Sequence, residues 1–182
     1  MKTMINRKEI LYLLAIFIAA FTFRVLYIST LSNHELYFAD ATEFDNIARN
    51  LAAGNGYYGS DGIPTAAREP AYPVFLAAIY KIAGHNLLVV RLSQAFLGAL
   101  TCIIIYYIGK KTASISAGIC SSIIASIYPF FIYYNGHILS ETLFIFLLLV
   151  TMAFLLNIQD ESASDWTGVS TGIITGILLG IG

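Results

Sequence analysis

Apolar residues run along this chain in blocks of about twenty, the length a helix needs to cross the hydrocarbon core of a bilayer. The pattern predicts spans at about Ile10–Leu31, Leu87–Ile108, Ser114–Tyr134 and Ile138–Asn157. A fifth begins near Trp166 and is still apolar at Gly182. The expected fold class is all-α membrane: a polytopic helical bundle of about 4–5 transmembrane helices, forming a single transmembrane domain over residues 1–182.

One long interruption, residues 32–86, breaks the rhythm. Its first piece, "DATEFDNIARNLAAG", places Phe44, Ile47, Ala48 and Leu51 at i, i+3, i+4 and i+7, which predicts an amphipathic helix. Asp40 is placed to cap it, with Glu43 three residues on as in a capping box. Gly54 ends it. "GNGYYGSDGIPTAARE" follows as a Gly-rich loop without period. "PAYPVFLAAIYKIAG" then reads as a second short helix, from Pro70 to a stop at Gly84 and too short to span. The first helix is expected in the plane of the interface and the second as an interfacial or re-entrant helix, with Tyr72, Tyr80 and Lys81 at headgroup level.

Composition strengthens the membrane assignment. The chain is 58% hydrophobic and 12% charged, against roughly 45–50% and about 25% for soluble domains. A net charge of −1 without a basic stripe excludes nucleic acid as a partner. Cys102 and Cys120 lie in apolar runs and read as buried thiols. Lys2, Arg7 and Lys8 precede the first span and Lys110 and Lys111 follow the second, so both clusters are expected on the cytoplasmic side. The chain is then a multi-pass plasma (cell) membrane protein with a cytoplasmic N-terminus and an extracytoplasmic first loop over 32–86. The loop "NIQDESASD" falls inside. The last apolar piece, "STGIITGILLGIG", is short for a span, so the chain reads as the truncated front part of a longer protein. Gly168, Gly172 and Gly176 form a stripe suited to helix packing.

Ionisable groups in or beside spans are costly, which marks candidates. Asp40 reads either as a helix cap or as a working carboxylate, two compatible roles. Glu43 and Asp45 read as solvated face residues, Asp45 pairing with Arg49 at i, i+4. Arg24, about a turn or two inside the first span, either snorkels to the interface or reaches a lipid phosphate. Arg68 and Glu69 precede a Pro-containing helix, where a guanidinium can grip a phosphate with two N–H groups. A salt bridge within that pair is the plainer reading. His137 and Glu141, four residues apart, could share a helix face, but two ligands are weak ground for a metal. None is expected. No P-loop, dinucleotide fingerprint, zinc motif or Ser-nucleophile elbow is present.

Several segments in order carry a resemblance: "FRVLYI", "DATEFDNIARNLAAGNGY", "PTAAREPAYPVFLAAIYKIAG", "VRLSQAFLGALTCIIIYYIGKK" and "SIYPFFIYYNGHILSETLF". Together they resemble the N-terminal part of a polytopic glycosyltransferase of the GT-C fold. The group (glycosyltransferase family 39-like) includes protein O-mannosyltransferases, lipid A aminoarabinose transferases and Rgt-type lipopolysaccharide sugar transferases. The resemblance implies a polyprenyl-phosphate sugar donor, used at the outer membrane face, and a glycan, lipid or protein acceptor. It implies Asp40 as catalytic base, with Phe44 where relatives often carry Tyr. Arg68 and Glu69, with Arg24, stand near the donor phosphate. Glu43, Asp45, His137 and Glu141 are candidates for substrate or acceptor contact. Relatives often show a Pro-Pro pair where this chain has Pro70-Ala71. No cofactor is implied, and a divalent cation finds no support in the sequence.

The mechanism expected is single displacement with inversion, the base taking the acceptor's proton, with the Gly54–Gly62 loop ordering over the sugar. A transporter or flippase of lipid-linked sugars is the rival reading, and a non-catalytic membrane fragment a third. Charged candidates clustered on one face favour interfacial chemistry.

Overall fold

The computed structural model describes residues 6–31, 35–59, 61–66 and 68–160. Their regular structure is helical: α1 (Arg7–Ile28), α2 (Ala39–Ala52), α3 (Ala71–Ala83), α4 (Leu87–Thr112), α5 (Ile115–Ile127), α6 (Pro129–Gly136) and α7 (Glu141–Asp160). Side-chain caps set three of the starts. Asn6 accepts from the amide of Lys8, Asn86 from those of Leu88 and Val89, and Ser114 from that of Ala117. Each satisfies donors that a helix start leaves without an intrahelical partner.

The helices α1 and α4 are long and apolar enough to cross a membrane, and α5 with α6 makes a third crossing if the bent pair counts as one. The third span is thus broken where the hydrophobic pattern predicts continuity. Tyr128 adopts extended backbone (φ −65°, ψ 119°) and the axis bends by 49°. Pro129 explains this, because its ring clashes with a helical residue before it. The fourth predicted span appears as α7, starting at Glu141 rather than Ile138. Its apolar part runs from Glu141 to Asn157 within a helix of 20 residues. The fifth span and the Gly168–Gly176 stripe lie outside the described residues, as does the rest of "NIQDESASD" after Asp160.

One end of the bundle is tied by Glu9 of α1, which accepts hydrogen bonds from Tyr106 and Lys110 of α4. Lys111 donates to Asn157 of α7 at 2.7 Å. The basic clusters at the start of α1 and the end of α4 therefore share an end, as the charge pattern predicts. Midway, α1, α4 and α5 meet through Ile16, Ala20, Ala99, Cys102 and Ala125. Gly98 makes the approach of α6 possible. A Cβ there would stand 2.0 Å from Asn135 Oδ1 and 2.6 Å from Arg24 Nε. Large apolar side chains such as Leu11, Leu14, Ile18 and Leu26 stay exposed along α1, as a lipid-facing helix requires. Cys102 is buried, but Cys120 is exposed on α5, so only one thiol follows expectation.

The two short helices form where the pattern puts them. They pack on each other and on the start of α4 through Phe44, Ala48, Tyr72, Leu76, Tyr80, Leu87 and Val90. Gly84 closes α3 at φ 72°, a left-handed geometry that suits glycine. Three details differ from expectation. Asp40 is not the cap: Phe38 occupies that position without a side-chain hydrogen bond, and Asp40 lies in the first turn. Tyr72 and Tyr80 are buried rather than at headgroup level. The Gly-rich loop folds back on itself, with Tyr58 and Pro64 in an antiparallel bridge and amide bonds from Gly59 to Ile63 and from Thr65 to Tyr57.

Candidate functional site

At the end of the bundle away from Glu9, the loop fold-back returns the chain from α2 to the start of α3. This brings Arg68 to Asp40: Arg68 Nη2 donates to Asp40 Oδ1 at 2.5 Å. The Asp40 side chain is 55% exposed and that of Arg68 29%, so the pair faces open space while the guanidinium is partly sheltered. Helix position explains the carboxylate. In the first turn of α2, Asp40 sits where the helix dipole favours negative charge.

The guanidinium lies over the ring of Phe44, 5.3 Å from Cζ to centroid, a geometry in which cation and ring attract. Phe44 in turn meets Tyr72 edge-on at 4.9 Å. The Tyr72 hydroxyl donates to Gln94 Oε1, and Gln94 Nε2 donates to the carbonyls of Asn135 (3.1 Å) and His137 (2.6 Å). Arg68 thus rests on a chain of contacts that ends in the core. Its backbone is also held: Tyr57 Oη donates to the carbonyls of Arg68 (3.0 Å) and Glu69 (3.3 Å). Burial, then the Glu69 carboxylate, pushes the Tyr57 hydroxyl above its ordinary range, with Arg68 opposing. Tyr57 therefore stays a donor.

Two clefts meet at Glu69. An open one of about 450 Å³ is lined by Tyr57, Thr65, Ala66, Arg68, Glu69 and Pro70. A second, of about 200 Å³, runs between α3 and α7 past Tyr72, Ser140, Leu143, Phe144 and Leu147. Glu69 is exposed. Glu43 is half-buried, its Oε1 beside the Gly59 turn. Glu141 is half-buried at the first turn of α7.

The other sequence candidates are placed differently from expectation. Asp45 is buried, not on a solvated face. It accepts from Tyr80 Oη at 2.6 Å, and His85 Nε2 lies at 2.7 Å. The reason is the crossing of α2 over α3, which turns that side inward. Burial and the bond to Asp45 push the Tyr80 hydroxyl up. Arg24 does not snorkel to the surface. It is fully buried and engaged by Asn135 Oδ1, the carbonyls of Ala20 (2.8 Å) and Ser126 (3.4 Å), and Cys102 Sγ at 3.9 Å. Its donors serve contacts within the bundle. His137 and Glu141 do not share a helix face, because His137 is the extended residue after α6 and Glu141 begins α7. His137 is 5% exposed.

Gln94, Arg91 and Asn135, which support the site, escape the sequence reading. Each sits in or beside an apolar run, where a polar residue is itself a signal. Arg91 and Gln94, at i and i+3 with Gly98 at i+7, line one face of α4.

A family model described as dolichyl-phosphate-mannose-protein mannosyltransferase matches residues 67–182. That stretch contains Arg68, Glu69 and α3 to α7, and begins after Asp40. No curated protein and no solved structure matches the chain.

Proposed function

Because this chain belongs to the dolichyl-phosphate-mannose-protein mannosyltransferase family, membrane glycosyltransferases of the GT-C type, we propose that Asp40 and Arg68 form its transfer site. The donor is a sugar on a polyprenyl phosphate, and the acceptor a hydroxyl or amine of a lipid, glycan or protein. In line with the placement of Lys and Arg, the site faces outward from the cell membrane and the N-terminus is cytoplasmic.

The observation that carries this reading is the 2.5 Å contact between Arg68 and Asp40 at the edge of an open cleft. A base and a phosphate-binding cation must stand within one sugar's reach of each other, and these two touch. In the transfer step the acceptor oxygen or nitrogen bonds to the anomeric carbon as the carbon–oxygen bond to phosphate breaks. Asp40 takes the acceptor's proton. The polyprenyl phosphate leaves as an anion, and Arg68 stabilises the charge that grows on it. Arg68 has further N–H groups for that phosphate beyond the one on Asp40. The cleft toward Leu143 and Leu147 gives the lipid an apolar path beside the charged one.

The test is Asp40→Asn in the natural full-length protein, reconstituted in nanodiscs with a polyprenyl-phosphate-linked sugar. Loss of a general base lowers turnover by about 10²- to 10⁴-fold with thermal stability unchanged. Wild-type turnover in the folded variant rejects Asp40 as base.

A further inference from the structure

The start of α2 has no side-chain cap, yet it carries Asp40 two residues in from Phe38. Something else must fix it. Residues 35–38 lead into it, and two side chains of the bundle hold them. Arg91 Nη2 donates to the Glu35 carbonyl at 3.0 Å. The His137 ring takes Tyr37 and Phe38 edge-on, at 5.4 and 5.1 Å between centroids with interplanar angles of 86° and 87°. On its other sides His137 meets Tyr133 at 4.4 Å and bonds through Nε2 to Tyr27 Oη at 3.2 Å. Its carbonyl is fixed by Gln94. One imidazole therefore joins α1, α6 and the segment that launches α2.

We propose that His137, as the neutral imidazole, is the positioning residue that seats the entrance of α2 on the bundle and thereby sets Asp40. This rests on Asp40 being the base. His137 acts through Phe38 and Tyr37 and touches no reacting atom.

The titratable groups that face the ring are Arg91 of α4, Tyr27 of α1, Tyr133 of α6 and Tyr37. None is a carboxylate. A second ring proton would add charge beside the Arg91 guanidinium, and with both ring nitrogens protonated the buried Nδ1–H has no acceptor among the described residues. Burial, and then Arg91, lower the affinity of this imidazole for that proton. Protonation thus favours any state in which the ring is released, and Phe38 with it.

Hydrogen exchange of the full-length protein in nanodiscs, corrected for intrinsic rates, tests this directly. Below about pH 6.5, opening at residues 36–44 grows by up to about tenfold per pH unit, the limit for one linked proton, while the middle of α4 stays protected. In His137→Gln, which cannot take up the proton, protection at 36–44 no longer depends on pH. The acid limb of the transfer rate shifts in parallel. Asp40→Asn lowers transfer by about 10²- to 10⁴-fold but keeps the pH dependence of exchange at 36–44, so failure of the base and failure of the seat are read separately. Wild-type protection at 36–44 that ignores pH overturns the proposal. So does an unchanged pH dependence in His137→Gln.

Discussion

Arg68 and Asp40 lie 28 residues apart in sequence and are joined by a 2.5 Å hydrogen bond. The carboxylate comes from the first turn of α2 and the guanidinium from the end of the loop that links α2 to α3, so the return of that loop to the start of α2 makes the contact. If Asp40 is the base and Arg68 the phosphate-binding group, as proposed, a donor phosphate competes for the guanidinium that Asp40 holds and frees the carboxylate for the acceptor.

Replacing Arg68 separates its charge from its shape. Arg68→Ala removes the group proposed to meet the leaving phosphate and is expected to lower turnover by about 10²- to 10³-fold, the range for loss of one preorganised donor. Arg68→Lys keeps the charge but loses the planar fork and the stacking on Phe44. Its turnover falls between those of wild type and Arg68→Ala. Steady-state transfer from a polyprenyl-phosphate sugar measures both. Equal rates for Lys and Arg at this position would show that planar recognition plays no part.

Gln94 links two parts of the site through one amide. Its oxygen holds Tyr72, beneath Phe44 and Arg68, and its nitrogen holds the turn that carries His137. Gln94→Leu leaves the Tyr72 hydroxyl and the Asn135 carbonyl short of partners, while the His137 carbonyl keeps the Leu139 amide, and costs about 2–6 kcal/mol at about 1–3 kcal/mol per unsatisfied group. Tyr72→Phe removes only the first link and costs less. Since the two residues share a bond, the double variant falls short of the sum. Thermal unfolding in detergent measures all three.

The helical class, the two short helices and their glycine stop at Gly84 were legible in the sequence because periodicity and terminators are local. Asp40 and Arg68 were legible one at a time, as charges beside membrane spans. Their meeting was expected only through the family resemblance, since the contact itself depends on how a loop with glycines at positive φ, such as Gly54 and Gly56, folds back. Asp45 was misread because the i, i+4 spacing to Arg49 holds on any helix surface, and only the crossing of α3 shows which surface is covered. The break at Tyr128 was signalled by Pro129 but outweighed by the apolar run around it.

Arg24 and Asn135 form a buried polar contact in the bundle, and their removal is unequal. Asn135→Leu leaves the guanidinium buried without its nearest acceptor and also frees Thr142. Losing a hydrogen bond to a charged group costs about 1.5–3 kcal/mol, and the loss of the Thr142 partner adds to it. Arg24→Met removes the charge itself at similar volume and costs less. Gly98→Ala overpacks the same spot, where the added methyl overlaps Asn135 and Arg24, and costs about 1–3 kcal/mol. The order of thermal midpoints, with Asn135→Leu lowest, checks the account.

The buried imidazole of His137 also gives stability a pH dependence whose sign is fixed. Its proton affinity is lowered from the ordinary value of 6.5 by burial and by Arg91. Below about pH 6.5 the unfolded chain binds a proton that the folded one does not, so stability falls as pH drops. The loss reaches at most about 1.4 kcal/mol per pH unit and stops once the folded imidazole titrates. Above 6.5 the residue contributes no slope. His137→Gln removes this component, so the difference between wild-type and variant stability is flat from pH 8 to about 6.5 and shifts against the wild type below it. Other titrating groups cancel in that difference. Thermal midpoints of both proteins across the range measure it, and a difference that favours the wild type at acid pH would show that His137 is held protonated in the fold.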